Sequence, residues 1–228
     1  MQITADIDQR SAVLRALGEP TRLRMVDALD LGDLTPGELA CRLDLPLNLV
    51  TFHVTALEAA GVVRRVRSEG DRRRRYVHLR HGVLERVGVV TGTGADVPRF
   101  ERLLFVCSLN AARSQIAAAL WLGRTGRPAQ SAGREPARTV HPLAVAVAGS
   151  RGVDLSAARP HGFEAVAVEP DLVVTLCDRA LESGTPFEEL PRLHWSIPDP
   201  VRDGRPGAFA RAYDAVAERI EHLAQRTA

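Results

Sequence analysis

Four apolar residues, Leu103-Leu-Phe-Val106, run directly into Cys107-Ser-Leu-Asn-Ala-Ala-Arg113-Ser114, and a helical pattern follows from Gln115 to about Leu122. A short, wholly apolar run reads as a strand covered on both faces. A strand that passes through a tight loop into a helix commits the chain to parallel strands layered with helices. The remainder of this half keeps that alternation. Val140 to Gly149 reads as a helix opening on His141-Pro142, Asp171 to Leu176 as a second buried strand, and Leu193 to Ile197 as a third. The last helix, Gly207 to Gln225, places Phe209, Tyr213, Val216, Ile220 and Leu223 on one face. We expect an α/β domain with a parallel four-stranded sheet.

The same loop carries chemistry. A Cys-x5-Arg-Ser segment between a strand and a helix wraps the backbone N–H groups of Ser108, Leu109, Asn110, Ala111 and Ala112 around a tetrahedral oxyanion at the positive end of the helix. That field favours a Cys107 thiolate as nucleophile. Arg113 would grip two oxygens of the anion, and Ser114 would hydrogen-bond the thiolate. Asn110 suits the unusual backbone angles of so tight a loop. The Gly-Lys-Ser/Thr ending of a nucleotide-binding loop is absent. Further on, Pro198-Asp199-Pro200 offers Asp199 as a general acid for a leaving oxygen; without Cys107 it would read as a turn. Cys177, at the end of the second strand, reads as a buried strand-end cysteine.

Composition narrows the setting. The chain has 228 residues and a formal charge of +2, too long for one small domain and nearly neutral overall. No run is apolar enough for a transmembrane helix, the first residues lack a signal-peptide pattern, and three dispersed cysteines do not make a disulfide scaffold. We expect a cytoplasmic protein with no membrane partner, no metal and no tightly bound cofactor. All 30 basic residues are arginine. Eight of them (64, 65, 67, 72, 73, 74, 75 and 80) crowd one stretch against only Glu69 and Asp71.

That stretch belongs to a different architecture. Short amphipathic segments at Ile7–Leu17 and Thr21–Leu29 are followed by Pro36–Leu43, with Thr35 as cap and Pro36 in the first turn. Asn48 to Ala60 puts Val50, Val54 and Leu57 on a buried stripe and leaves Asn48, Thr51, Phe52 and Thr55 on other faces, with Gly61 ending the helix. Val62–Val66 and Tyr76–Leu79 pair as strands around Gly70-Asp71. This is a winged helix-turn-helix, mainly α with a β-hairpin wing. Asn48, Thr51, Phe52 and Thr55 would face the major groove, while Arg72, Arg73, Arg74 and Arg75 of the wing would meet phosphates. We divide the chain into a DNA-binding domain at 1–92, a Gly/Thr/Pro linker at 93–100 and the α/β domain at 101–228.

Two family resemblances follow from these residues. Leu17-Gly-Glu-Pro-Thr-Arg-Leu-Arg24, Gly37-Glu-Leu-Ala40 and His53-Val-Thr-Ala-Leu-Glu-Ala-Ala-Gly-Val-Val63 resemble the ArsR/SmtB repressors. The resemblance implies a homodimer on palindromic operator DNA, packed through the first helix and one around Val83–Val90. The family's paired thiols would fall near Thr35 and Gly37, where this chain has no cysteine. Cys41 reads as a small, partly buried helix residue, and His53 as a structural one.

The second half resembles the low-molecular-weight tyrosine phosphatase fold, and within it the arsenate reductases. The likeness rests on Leu104-Phe-Val-Cys-Ser-Leu-Asn-Ala-Ala-Arg-Ser-Gln115, Ser131-Ala-Gly133, Gly152-Val-Asp-Leu-Ser156, Asp171-Leu-Val-Val-Thr-Leu-Cys177 and His194-Trp-Ser-Ile-Pro-Asp-Pro200. Gln115 and His194-Trp195 are reductase-like, and Val201-Arg202 stands where phosphatases carry tyrosines. Leu109 replaces a glycine common in the phosphatase loop. The resemblance implies arsenate as substrate, a Cys107–arsenic adduct, and an arsenic-resistance role. Cys177 aligns with a resolving cysteine of thioredoxin-coupled reductases, but their next cysteine is missing from 178–186. Electrons would then come through thioredoxin, or from an external thiol (mycothiol or glutathione) with a redoxin; the loop pattern favours the mycothiol type. The alternatives are a tyrosine phosphatase fused to a regulator, and a regulator whose second domain only senses an oxyanion.

Overall fold

The computed structural model describes residues 2–91 and 99–227. Contacts divide the chain into two compact units, the first holding residues 1–68 and 72–96, the second 69–71 and 97–228. Most of the expected linker, residues 93–98, lies outside the described residues.

The first unit opens with α1 (Gln2–Leu17), α2 (Pro20–Ala28), α3 (Pro36–Leu43) and α4 (Leu47–Ala59). Its helix starts are set by local chemistry. Glu19 caps α2 by accepting from the Arg22 N–H at 2.9 Å. Thr35 and Glu38 form a reciprocal capping box on α3, a device worth on the order of 1 kcal/mol. Gly61 follows α4 at φ 76°, a left-handed turn that a side chain would strain. The hairpin β1 (Val63–Arg67) and β2 (Arg75–Leu79) is antiparallel, with Val63 opposite Leu79 and Arg67 opposite Arg75. Helix α5 (His81–Glu85) completes the unit. Val13, Met25, Leu29, Leu39, Val50, Val54, Leu57, Val77 and Leu84 form a shared core. Burying each such side chain contributes roughly 1.5–3 kcal/mol.

Three expectations change here. The first helix begins at Gln2, earlier than Ile7. The helix expected around Val83–Val90 ends at Glu85, and Gly88 turns the chain at φ 69°. Cys41 is exposed and not partly buried. Helix α3 buries Leu39 and Leu43, and Cys41 sits about 200° around the helix from either one.

The second unit is α/β. Its elements are β3 (Leu103–Cys107), α6 (Arg113–Thr125), β4 (Gln130–Gly133), α7 (Pro142–Gly149), β5 (Leu172–Thr175), α8 (Asp178–Glu182), β6 (Arg192–His194), α9 (Pro200–Asp203) and α10 (Pro206–Arg226). The sheet is parallel, with order β4-β3-β5-β6. Strand β3 is buried at every residue and lies between β4 and β5, so the chain leaves in opposite directions around it. Such a switch point opens a crevice beyond the carboxyl ends of the strands. Helix α10 buries Phe209, Tyr213, Val216, Ile220 and Leu223, the face expected from their spacing.

Strand β4 was not legible as a strand, because Gln-Ser-Ala-Gly lacks the branched residues that mark one. The third expected strand is shorter than Leu193–Ile197. It ends at His194, after which the Ile197 N–H bonds the Trp195 carbonyl at 2.9 Å and the chain leaves the sheet. Helix α6 begins at Arg113, two residues before Gln115, and runs to Thr125. Among the described residues no helix is long and apolar enough to cross a membrane.

Candidate active site

The loop from Cys107 to Arg113 is tied down from outside. Glu135 N–H donates to the Ser108 carbonyl at 2.9 Å, Ala137 N–H to Leu109 at 2.9 Å and His141 N–H to Ala111 at 2.8 Å. Three of the loop's carbonyls are thus engaged from outside, which braces the kind of strand-to-helix loop whose amides can form an anion cradle. Asn110 adopts φ 50° and is fully buried. Its amide nitrogen donates to Ser114 Oγ at 2.8 Å and Ser131 Oγ at 3.0 Å. Its oxygen accepts from Gln115 Nε2 at 2.8 Å and from the His161 N–H at 3.0 Å. Both polar atoms of Asn110 are thus matched in the interior, which holds a strained backbone in place. Gly133 closes the arrangement. A Cβ there would lie 2.7 Å from Asn110 N and 2.9 Å from Leu109 C, so no larger residue fits.

The reactive groups converge on this loop. Cys107 Sγ lies 3.0 Å from Ser114 Oγ. Ser114 accepts from Asn110, and its hydrogen can be given to the sulfur when Cys107 is a thiolate, which only accepts. Arg113 is buried, donating to the Ile197 carbonyl at 2.7 Å, with its other terminal nitrogen 3.2 Å from Asp199 Oδ1. Burial pulls the Arg113 guanidinium down, but the facing Cys177, Cys107 and Asp199 more than offset it, and the charged form is favoured. Asp199 caps α9 by accepting from the Val201 N–H at 3.1 Å. One carboxylate therefore both starts a helix and faces the loop arginine.

Cys177 stands beside them. It is buried, its Sγ accepts from the Ala180 N–H at 3.4 Å, and it lies 3.3 Å from Ser108 Oγ. Burial pushes the Cys177 thiol up, Arg113 draws it back, and Cys107 opposes ionisation again. The expected residues Cys107, Ser108, Leu109, Asn110, Ala111, Ala112, Arg113, Ser114, Cys177 and Asp199 thus share one end of one sheet. Missed were the supports: Ser131 and Gly133, which brace Asn110, and Thr175, Asp178 and His194 around Cys177. Ser131, Gly133 and His194 fall within motifs noted above, but spacing assigns them no partner.

In the first unit, Asn48, Thr51, Phe52 and Thr55 are exposed on α4, Phe52 at 65%. The Thr51 and Thr55 hydroxyls donate to carbonyls one turn back, Leu47 and Thr51, at 2.9 and 2.8 Å. Arg72, Arg73, Arg74 and Arg75 are exposed on the wing. Arg65 of β1 pairs with Glu58 of α4 through a backbone and side-chain fork, fixing the wing's base to that helix. His53 is buried, with Nδ1 3.5 Å from the capping carboxylate of Glu19.

Comparison with known proteins extends this picture. The family model described as low molecular weight phosphotyrosine protein phosphatase matches residues 102–228, and a helix-turn-helix domain model matches residues 10–66. The HTH-type transcriptional regulator CmtR of Mycobacterium tuberculosis is 38% identical over 88 residues, 37% of this chain and 73% of that protein. Tyrosine phosphatase Wzb from Escherichia coli, solved with sulphate, is 23% identical and covers 57% of this chain and 100% of its own, with a TM-score of 0.50; it shares the fold. An arsenate reductase from Archaeoglobus fulgidus is 30% identical over 54% of this chain and 98% of its own, with a TM-score of 0.47.

Proposed function

Because the chain belongs to the low molecular weight phosphotyrosine protein phosphatase family, with a helix-turn-helix regulator domain ahead of that part, we propose that it is an operator-binding repressor fused to a cysteine-dependent arsenate reductase. The observation that carries the reductase reading is the second buried thiol. Hydrolysis of a phosphate ester needs one nucleophile, whereas reducing arsenic needs two electrons from thiols, and Cys177 Sγ lies 3.3 Å from the hydroxyl of the residue next to Cys107.

Arsenate would sit in the amide cradle with two oxygens on the Arg113 fork. Cys107 sulfur attacks arsenic while Asp199 gives a proton to the departing oxygen, which leaves as water. A second thiol then attacks the Cys107 sulfur. The sulfur–arsenic bond breaks, its electron pair stays with arsenic, and arsenite leaves. Cys177 can supply that thiol, with thioredoxin or another redoxin reducing the disulfide. Mycothiol or glutathione with a redoxin is the alternative donor. No tightly bound cofactor enters this scheme. On the DNA side, a homodimer would place α4 of each copy in the major groove and the wing arginines on phosphates. Its release by arsenic would make the protein part of an arsenic-resistance response.

Phosphatase activity is the second reading, favoured by the Asp199–Arg113 pair, since this loop, arginine and acid would serve phosphate equally. The test is arsenate-dependent thiol oxidation, with thioredoxin or with mycothiol and a mycoredoxin, beside hydrolysis of para-nitrophenyl phosphate. Arsenate turnover that disappears in Cys107→Ser supports the reductase. Ester hydrolysis without arsenate turnover transfers the site to the phosphatase reading. Neither activity, with operator DNA still bound, leaves an oxyanion sensor.

A further inference from the structure

Cys177 sits at a bend between β5 and α8, and α8 itself has only five residues. Its sulfur has two weak partners, Ser108 Oγ at 3.3 Å and the Ala180 N–H at 3.4 Å. Neither is strong enough to hold a thiol over the oxyanion loop. The bend, however, is gripped from the next strand. His194, the last residue of β6, is buried, with Nδ1 2.9 Å from Thr175 Oγ1 and Nε2 3.1 Å from Asp178 Oδ1. Thr175 lies two residues before Cys177 and Asp178 immediately after it, so a single imidazole spans the bend that carries the sulfur.

The proton accounting of this bridge closes. An ionised carboxylate only accepts, so Nε2 carries its hydrogen toward Asp178. Burial pushes the Asp178 carboxyl up, but the hydrogen bonds from His194, the Glu69 N–H and Ser196 together outweigh it and hold the group below its usual range, in the accepting form. The Thr175 hydroxyl can donate to Nδ1, or accept from it while donating to the Leu193 carbonyl at 3.3 Å. Each arm is therefore satisfied in the interior, where an unmatched polar group costs about 1–3 kcal/mol. Each arm also joins residues far apart in sequence, by 19 and 16 positions, so the bridge orders the bend and not merely a local turn.

We propose that His194 is the positioning residue of Cys177, bridging Thr175 and Asp178 so that the Cys177 sulfur is held within reach of an oxidised Cys107. This rests on the reading of Cys177 as the thiol that meets Cys107, but it does not require arsenate. With hydrogen peroxide as oxidant, the Cys107 thiolate becomes a sulfenic acid and releases hydroxide. Cys177 sulfur then attacks Cys107 sulfur, the S–O bond breaks, and water leaves with the Cys177 proton. With the arsenic adduct the same attack breaks the sulfur–arsenic bond and takes arsenic from +5 to +3.

The experiment uses the full chain. Peroxide is added, thiols are trapped with N-ethylmaleimide, and the Cys107–Cys177 disulfide is timed by peptide mass spectrometry beside iodoacetamide alkylation of Cys107. In His194→Ala the disulfide rate falls about tenfold or more relative to that alkylation, since misplacement by roughly 1 Å suffices for a larger loss. His194→Gln, whose amide reaches toward Asp178, recovers part of the rate, which a general loss of packing would not explain. Thr175→Val, nearly isosteric, removes one arm, slows the disulfide, and decides the matter if His194→Ala does not fold. A wild-type disulfide rate in folded Thr175→Val overturns the proposal, as does a wild-type protein that forms no Cys107–Cys177 disulfide. If peroxide yields the His194-dependent disulfide while arsenate gives no turnover, the reductase reading falls and the role of His194 stands.

Discussion

Replacing Ser114 by alanine removes the hydroxyl 3.0 Å from Cys107 Sγ. That hydroxyl accepts from Asn110 at 2.8 Å, which leaves its own hydrogen available to the sulfur once Cys107 is ionised and can only accept. A hydrogen bond to a charged acceptor is worth about 1.5–3 kcal/mol. Losing it lowers the rate of a reaction that proceeds through the Cys107 sulfur, by about tenfold for each 1.4 kcal/mol lost. The expected effect is an alkylation rate at Cys107 roughly tenfold or more lower. Iodoacetamide labelling near pH 6, resolved by peptide so that Cys177 is scored separately, measures it. Ser114→Thr, which keeps a hydroxyl, should restore most of the rate. An alanine variant within twofold of wild type, or faster, would refute the assignment of Ser114 as donor to the sulfur.

Arg113→Lys keeps a charge but loses the planar fork that holds the Ile197 carbonyl and faces Asp199, and turnover should fall about 10²- to 10³-fold. Steady-state rates with arsenate and para-nitrophenyl phosphate test this, and less than a tenfold loss on both would remove the fork from the mechanism. Asp178 is held below its unfolded value, so the stability it contributes is complete above the ordinary carboxylate range near pH 4 and is lost as pH falls through the lower folded value. Thermal melts of Asp178→Asn should therefore show a shallower acid limb than wild type; superimposable limbs would contradict the pairing with His194. Changing Arg72, Arg73, Arg74 and Arg75 together to alanine should leave the melting temperature nearly unchanged, because all are exposed. It should lower the salt slope of DNA binding by up to about 3–4, at roughly 0.9 per phosphate contact, and an unchanged slope would take the wing off the DNA.

Much of both units was legible because it is locally encoded. The Thr35–Glu38 box, the glycine after α4 and the stripe of Val50, Val54 and Leu57 need only residues within a turn or two of one another. The strand–loop–helix at Cys107 is likewise a short spacing, and Asn110 at positive φ follows from a tight loop that only a few residue types tolerate. Where local signals were weak, the reading slipped. Gln130–Gly133 carries no strand pattern and is held in the sheet by pairing with β3, while Cys41 was misplaced because a single small residue says little about which way a helix turns.

The sequence by itself determined the nucleophile, the arginine, the loop between them and the basic wing, since each is a run of neighbours whose chemistry depends on spacing along the chain. Only the tertiary structure decided which distant groups join them: Cys177 meets Ser108 across 69 positions, Arg113 meets Ile197 across 84, and His194 closes on Thr175 and Asp178. The physical reason is sheet order. Placing β3 between β4 and β5, with β6 beyond, brings the carboxyl ends of separate strands to one edge, and that adjacency arises from burial of whole strands and leaves no mark in any short stretch of residues.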